Sequence, residues 1–410
     1  MTTTETLVAR HYASGEPIAL TLEKGRIASV RPLPAQEPWP THWAAPAFFD
    51  VQINGALGHG FSSTELNHGD VQVIADACQG HGISAFCPTL ITNSLEALTH
   101  GFSILRSAVE AERTLADAMP CFHLEGPYIS PEDGFRGAHP REHVRPPCWN
   151  EFLRLQEAAG GRIRLVTLAP EAEGAIRFIE KLTRAGVVVA LGHTAASGDC
   201  IRDAISAGAR LSTHLGNGCA AMLPRHENVI WQQLDADELW ASLIVDGQHL
   251  PAPVVRCMLR AKTPARTILT CDASTLAGLP PGRYRAWGQE LEITPAGRIV
   301  VAGTPYLAGS WAFLDHCVRS TMSIAGIDLA QAVGMASIQP RELLGLPCPR
   351  LEPGHPADLV LFDRDVNGLP RVRDTLVAGV HHPFKLDLQE SQNDAARASD
   401  RGTPPACGNA

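Results

Sequence analysis

Several features that would place a chain in a ready-made class are missing from this one. Its eleven cysteines include no Cys-x-x-Cys pair, which removes zinc-ribbon and thioredoxin-like readings. Cys87, Cys121 and Cys271 lie inside apolar runs, where cysteine packs as a small hydrophobe, so no disulfide framework is expected. Positive charge is short: 34 Lys and Arg against 43 Asp and Glu leave a net charge of −9, which argues against nucleic acid as a partner. An anionic small molecule would need a local cluster of Arg and His instead. No apolar run is long enough to span a bilayer, and Met-Thr-Thr-Thr-Glu lacks the basic stretch and apolar core of a signal peptide. A cytoplasmic protein without a membrane partner is the expectation.

What is present fits a large soluble enzyme. Forty-five per cent hydrophobic and 19% charged is ordinary for a globular chain, and 410 residues exceed what one core supports. A barrel with a satellite domain therefore fits the length. Residues 1–45 hold short β-type segments, Ile18–Leu22 and Arg26–Val30, separated by Lys24-Gly25 and by prolines. From Pro46 a strand, loop and helix rhythm takes over, with eight expected strands at 47–54, 82–89, 119–126, 162–170, 187–194, 210–216, 240–247 and 267–274. Helical spacing between them, as in Glu171–Ala185 with Ala175, Phe178, Ile179 and Leu182, implies parallel strands joined by right-handed crossovers. The expected fold is thus an α/β (β/α)8 TIM-like barrel over 46–345. An inserted hairpin is expected at 284–301, turning at Pro295-Ala-Gly297, followed by helices at 310–324 and 329–336. Strand character returns at 357–362 and 372–380, so a small β-sandwich domain is expected from both chain ends, 1–45 and 346–385. The polar composition of 386–410 reads as a disordered tail.

Chemistry concentrates where the barrel strands should end. Glu125 closes an apolar run, Cys121-Phe-His-Leu-Glu, while His193 and His214 close the two runs of the fifth and sixth strands. A carboxylate and two imidazoles at neighbouring strand ends can share one divalent ion while leaving a position open for water. Asp272, at the end of the eighth strand, would face that ion as a proton carrier, or else serve as a turn cap. Donors crowd the same loops: His139, Asn217, Gly218, Arg225, His226 and His249, with Arg136 in the loop after Glu125. Such a mouth suits a hydroxylated, anionic ligand.

These pieces resemble the N-acetylglucosamine-6-phosphate deacetylase family of the amidohydrolase superfamily. The similar segments are 46–55 (Pro-Ala-Phe-Phe-Asp-Val-Gln-Ile-Asn-Gly), Pro88–Thr92, His123–Pro127, Gly192–Thr194, Thr213–Asn217, Asp246–His249, Thr270–Ala273 and Leu307–Ser310. They run in family order, and 354–360 resembles the family's closing strand. The resemblance implies Glu125, His193 and His214 as metal ligands and Asp272 as general base and acid. It implies His139, Asn217, Gly218, His249 and Leu307 as substrate contacts. It also implies that Arg225 reaches the phosphate in a neighbouring subunit's site, hence a homodimer. Gln52 and Asn54 stand where many amidohydrolases carry His-x-His, so a single ion is expected, zinc first, with iron, cobalt and manganese as alternatives. His123 points to the same side as Glu125 and is left to rim packing or to hydrogen bonding behind the ligands.

The segment 217–228 departs from the family pattern around Arg225 and His226, and Arg136 could replace an anion contact. The activity implied is removal of acetyl from N-acetylglucosamine 6-phosphate. Acting on N-acetylgalactosamine 6-phosphate, an unphosphorylated N-acetyl sugar or an N-acyl amino acid, or binding sugar without catalysis, are the alternatives.

Overall fold

A computed structural model describes residues 4–34 and 38–384, so the tail expected at 386–410 lies outside the described residues. Its centre is a parallel eight-stranded sheet: β1 (Phe48–Ile53), β2 (Ile83–Ile91), β3 (Phe122–Glu125), β4 (Ile163–Leu168), β5 (Val188–Leu191), β6 (Ala209–Ser212), β7 (Trp240–Ile244) and β8 (Thr267–Thr270), paired in chain order. An isolated parallel bridge between Ile53 and Ala273, with Asn54 N donating to Ala273 O at 2.9 Å, closes the sheet into a barrel. Phe49, Val51, Ala85, Cys87, Leu165 and Ile268 form one buried apolar cluster in its interior.

Each strand leads to an outer helix whose boundaries have local causes. His68–Gly80 starts on a capping box in which Asn67 accepts from the first-turn amides and Asp70 reaches back. Gly198–Ala207 runs from the Ser197 cap to Gly208, whose φ of 119° ends it. The helix expected at 171–185 spans Ala175–Arg184, and it buries Ala175, Phe178, Ile179 and Leu182.

After β8 the chain departs from expectation. In place of one hairpin, a four-stranded antiparallel sheet forms from Gly282–Ala286, Gln289–Ile293, Arg298–Val301 and Leu307–Ser310. Ser310, expected in a helix, is a strand residue that bridges Ala273, and the helix spans Leu314–Ala325. Leu329–Val333 then passes through a π-helical segment, Gly334–Ile338, into Gln339–Leu344. Pro340 has no N–H for a regular helical bond, which lets the wider turn form there.

Both chain ends build one β layer, in the order Val380–Pro383, Pro370–Val377, Leu359–Arg364, Trp43–Pro46, Glu5–His11, Pro17–Glu23 and Arg26–Pro32. The sheet folds back on itself: Arg26 bridges Pro356, and His381 Nε2 reaches Glu5 Oε1 at 3.1 Å. Leu20, Leu22, Ile27, Leu359 and Leu376 fill the space between.

Candidate active site

Glu125 is the last residue of β3, whereas His193, His214 and Asp272 each stand two residues beyond the last residue of β5, β6 and β8. All three of the latter have positive φ, 51°, 30° and 52°. This is a sparsely populated region for residues with a Cβ, and such strain concentrates at functional sites. The strands expected to run through these residues end two residues short of them, at Leu191, Ser212 and Thr270. Their left-handed turns instead bend the side chains over the barrel mouth.

There they converge. Glu125 Oε1 lies 3.1 Å from His214 Nε2 and 3.4 Å from His193 Nε2, and one ligand atom from each of the three residues falls within 4.8 Å of the others. Gln52 Nε2 donates to Glu125 Oε1 and to Asp272 Oδ1, both at 2.9 Å. Asn54 Nδ2 donates to the same Asp272 oxygen at 2.6 Å. Gln52 and Asn54 therefore act as amide donors between the two carboxylates.

The residues present fit a bound cation. His193 Nδ1 sits 2.9 Å from Phe135 O, which can only accept, so its Nε2 turns a lone pair toward the Glu125 carboxylate. Two acceptors that face each other call for positive charge. The cavity they border, of about 220 Å³, is lined by Glu125 and Asp272 but, among the described residues, by no Lys or Arg. Burial works to raise the Glu125 pKa, but the imidazoles of His193 and His214 against its oxygens hold it well below the usual carboxylate range. Burial first, and then the negative charge of Glu125, push Asp272 up to about 8. The raised value at Asp272 marks a buried site short of positive charge. Gly218 (φ 57°) packs its backbone against the His193 ring so closely that a Cβ there would meet Nδ1 at 2.8 Å.

Beneath the ligands runs a polar layer. His123 Nδ1 meets Thr89 Oγ1 at 3.2 Å, His123 Nε2 meets Thr167 Oγ1 at 2.8 Å, and Thr167 Oγ1 meets Thr213 Oγ1 at 2.8 Å. Burial lowers the His123 pKa to about 4, so the ring is neutral. His139 is buried beside His193, its Nδ1 2.8 Å from Thr92 Oγ1, and burial, followed by the neighbouring His193 ring, lowers it to about 3.

Asn217, Gly218, His249 and Leu307 line the cavity as well. Arg136 turns away from it, donating to His139 O and to Asp133 Oδ1. Arg225 and His226 are exposed and do not line the cavity of their own chain.

Three features were not singled out from sequence. Asp246 accepts from His249 Nδ1 at 2.8 Å and from Ser310 Oγ at 3.0 Å, tying a cavity histidine to the inserted sheet. Asp50, fully buried, accepts from Thr270 Oγ1 at 2.5 Å and Cys271 N at 2.8 Å across the barrel seam, and from Gln52 N of its own strand at 3.0 Å. Trp287, Pro305 and Tyr306 of the inserted sheet form part of the cavity wall. Asp50 and Asp246 do lie inside conspicuous segments, but nothing local in sequence announces the wall.

A closed parallel barrel with a carboxylate and two imidazoles at its strand ends has the architecture of the amidohydrolase superfamily. An enamidase described as a member of it shares the fold at a TM-score of 0.54 and 15% identity, and a dihydroorotase at 0.56 and 14%. No family model matches the chain. It is, however, 36% identical to the N-acetylglucosamine-6-phosphate deacetylase of Bos taurus over 348 residues, 82% of each chain. It is 31% identical to the N-acetylgalactosamine-6-phosphate deacetylase of Escherichia coli O157:H7, across 84% of this chain and 90% of that one. A mutant N-acetyl-D-glucosamine-6-phosphate deacetylase from Mycobacterium smegmatis, solved with N-acetyl-D-glucosamine-6-phosphate, superposes at a TM-score of 0.83 and 30% identity, over 93% of this chain and 100% of that one. The chain belongs to the N-acetylglucosamine-6-phosphate deacetylase family.

Proposed function

We propose that this chain hydrolyses the acetamide of N-acetylglucosamine 6-phosphate, releasing acetate and glucosamine 6-phosphate. The observation that carries the proposal is the convergence of Glu125, His193 and His214 beside Asp272 on one cavity. Those three residues would hold a divalent ion, zinc by the character of a carboxylate and two imidazoles, which would supply Lewis-acid polarisation of the amide carbonyl and of the attacking water. Oδ1 of Asp272 is taken by the Gln52 and Asn54 amides, which leaves Oδ2 for the proton of the water. The same carboxyl then returns that proton to the departing nitrogen, so that the leaving group is a neutral amine. His139 and His249 hold the sugar, each fixed through its Nδ1 by Thr92 or Asp246.

A phosphate at C6 needs cations, and the cavity lining of one chain offers no Lys or Arg. The exposed Arg225 of a second copy supplies the charge in this reading, which makes the working unit a homodimer. No helix among the described residues is long and apolar enough to cross a membrane, and a sugar-phosphate substrate fits a cytoplasmic setting.

The test is acetate release from N-acetylglucosamine, N-acetylgalactosamine and their 6-phosphates, with metal content measured on the same protein. The 6-phosphate of N-acetylglucosamine should be the best substrate, with one ion per chain. Asp272→Asn, which keeps the Oδ1 acceptor and removes the base, should retain the ion and lose about 10²–10⁴-fold in kcat. Full activity of that variant, or equal activity on the unphosphorylated sugar, would contradict the proposal.

A further inference from the structure

Given the amino-sugar substrate proposed above, we infer that Trp287 is a specificity-determining residue, its indole serving as the platform on which the apolar face of the pyranose ring stacks. The first observation is conformational. Gly282–Ala286 and Gln289–Ile293 pair antiparallel with Ala286 opposite Gln289, which leaves Trp287-Gly288 as a two-residue turn. Both turn residues have positive φ, 53° and 72°, the pattern of a type I′ turn. That turn favours Asn, Asp or Gly at its first position, because a larger side chain in the left-handed region crowds its own backbone. The hairpin by itself would be better served by Asn.

The second observation is where the strained residue lies. Gln289 Nε2 donates to Ala138 O at 3.0 Å, which fastens the hairpin tip to the loop that carries His139. Trp287 thereby becomes part of the wall of the active-site cavity, half-buried between that cavity and the small core of the inserted sheet. Strain of this kind persists where something else is gained from it.

The third observation is the division of the walls. On the barrel side the cavity presents the carboxylates, imidazoles and Asn217 described above; on the side of the insert it presents Trp287, Pro305, Tyr306 and Leu307. A pyranose has the same two-sidedness, with hydroxyls around its edge and C–H bonds on its faces, and an aromatic plane matches the latter. Tyr306 lines the same wall with an ordinary backbone, so the conformational cost singles out Trp287.

The test separates stacking from mere packing. Trp287→Asn installs the residue that the turn prefers, which offsets the packing the indole gives up on the insert core, so its Tm should stay close to that of the wild type, with metal content unchanged. Its kcat should stay within about two-fold while KM for N-acetylglucosamine 6-phosphate rises about ten-fold, as loss of one stacking contact implies. Trp287→Phe, with a smaller face, should give an intermediate KM. The chain has seven tryptophans, so fluorescence is read as a difference: glucosamine 6-phosphate should change the emission of the wild type and not that of Trp287→Phe. An unchanged KM in Trp287→Asn overturns the inference, as does a lowered Tm with KM unmoved. If the wild type releases acetate from no N-acetyl hexosamine phosphate, the proposed function fails and takes the inference with it. Activity in the wild type with no effect in the variant sinks the inference alone.

Discussion

Replacing Asp50 tests how the barrel seam holds the catalytic strand. Between β1 and β8 the seam has, among the described residues, the single backbone bridge Ile53–Ala273, and the Asp50 carboxylate stands in for missing ladder bonds by accepting from Thr270 and Cys271, while also taking the Gln52 amide of its own strand. In Asp50→Ala the amides of Cys271 and Gln52 are left without acceptors in a fully buried place. Each orphaned donor costs about 1–3 kcal/mol, and the Thr270 hydroxyl can turn elsewhere, so the gross loss is about 2–6 kcal/mol. Burial raises the Asp50 pKa, a sign that the ionised carboxylate is itself costly there, and its removal returns part of that loss. The expected net is about 2–4 kcal/mol for Ala. Asp50→Asn keeps one oxygen and sets an amide against a single donor, so about 1–3 kcal/mol is expected. Urea unfolding of the metal-loaded protein should rank wild type above Asn above Ala. Cys271 precedes Asp272, and the Gln52 side chain bonds it, so kcat should fall more than KM rises. An Ala variant within about 0.5 kcal/mol of wild type and with full kcat would refute the reasoning.

Two further predictions concern the partner subunit and pH. Arg225→Ala and Asp272→Asn should each be nearly inactive on the 6-phosphate, but refolded together in equal amounts they should regain up to about a quarter of wild-type activity, because half the mixed dimers' sites are whole. No recovery on mixing would argue that Arg225 does not serve its neighbour. Burial opposes ionisation of Asp246, yet the His249 bond and charge hold its pKa at about 2 against an ordinary 3.8. A lowered folded-state pKa gives stability that is present above the unfolded value and lost as pH falls through the folded one. The Tm gap between wild type and Asp246→Asn should therefore be wide at neutral pH and close as pH falls from 3.8 toward about 2. A gap that does not change with pH would remove Asp246 as the charged partner of His249.

The barrel was legible because its signal is periodic: eight apolar runs separated by helix-spaced segments leave few alternatives. Glu125, His193, His214 and Asp272 were legible because each terminates such a run. Their last two residues were not, since a left-handed turn at His193 or Asp272 leaves no mark in an apolar pattern. The strand Leu307–Ser310 was hidden for a related reason. Its pairing partner Arg298–Val301 and its bridge to Ala273 are both distant in sequence, and Ala-Gly-Ser reads equally well as the approach to a helix. Asp50 was hidden in plain view. Between Phe49 and Val51 it looks like a lapse in a strand, and closure of the barrel supplies two of its three donors, Thr270 and Cys271.

The floor under Glu125, His193 and His214 governs traffic. Below the Thr89–His123–Thr167–Thr213 layer the barrel is plugged by the Phe49, Val51, Leu165 and Ile268 cluster, with no more than 1% of any of these four exposed. Nothing passes through it, so water, sugar and both products share one doorway. In the proposed reaction acetate forms at the Glu125–His193–His214 end of the cavity and shares its exit with the amino sugar, so whichever product stays holds the doorway against the next substrate.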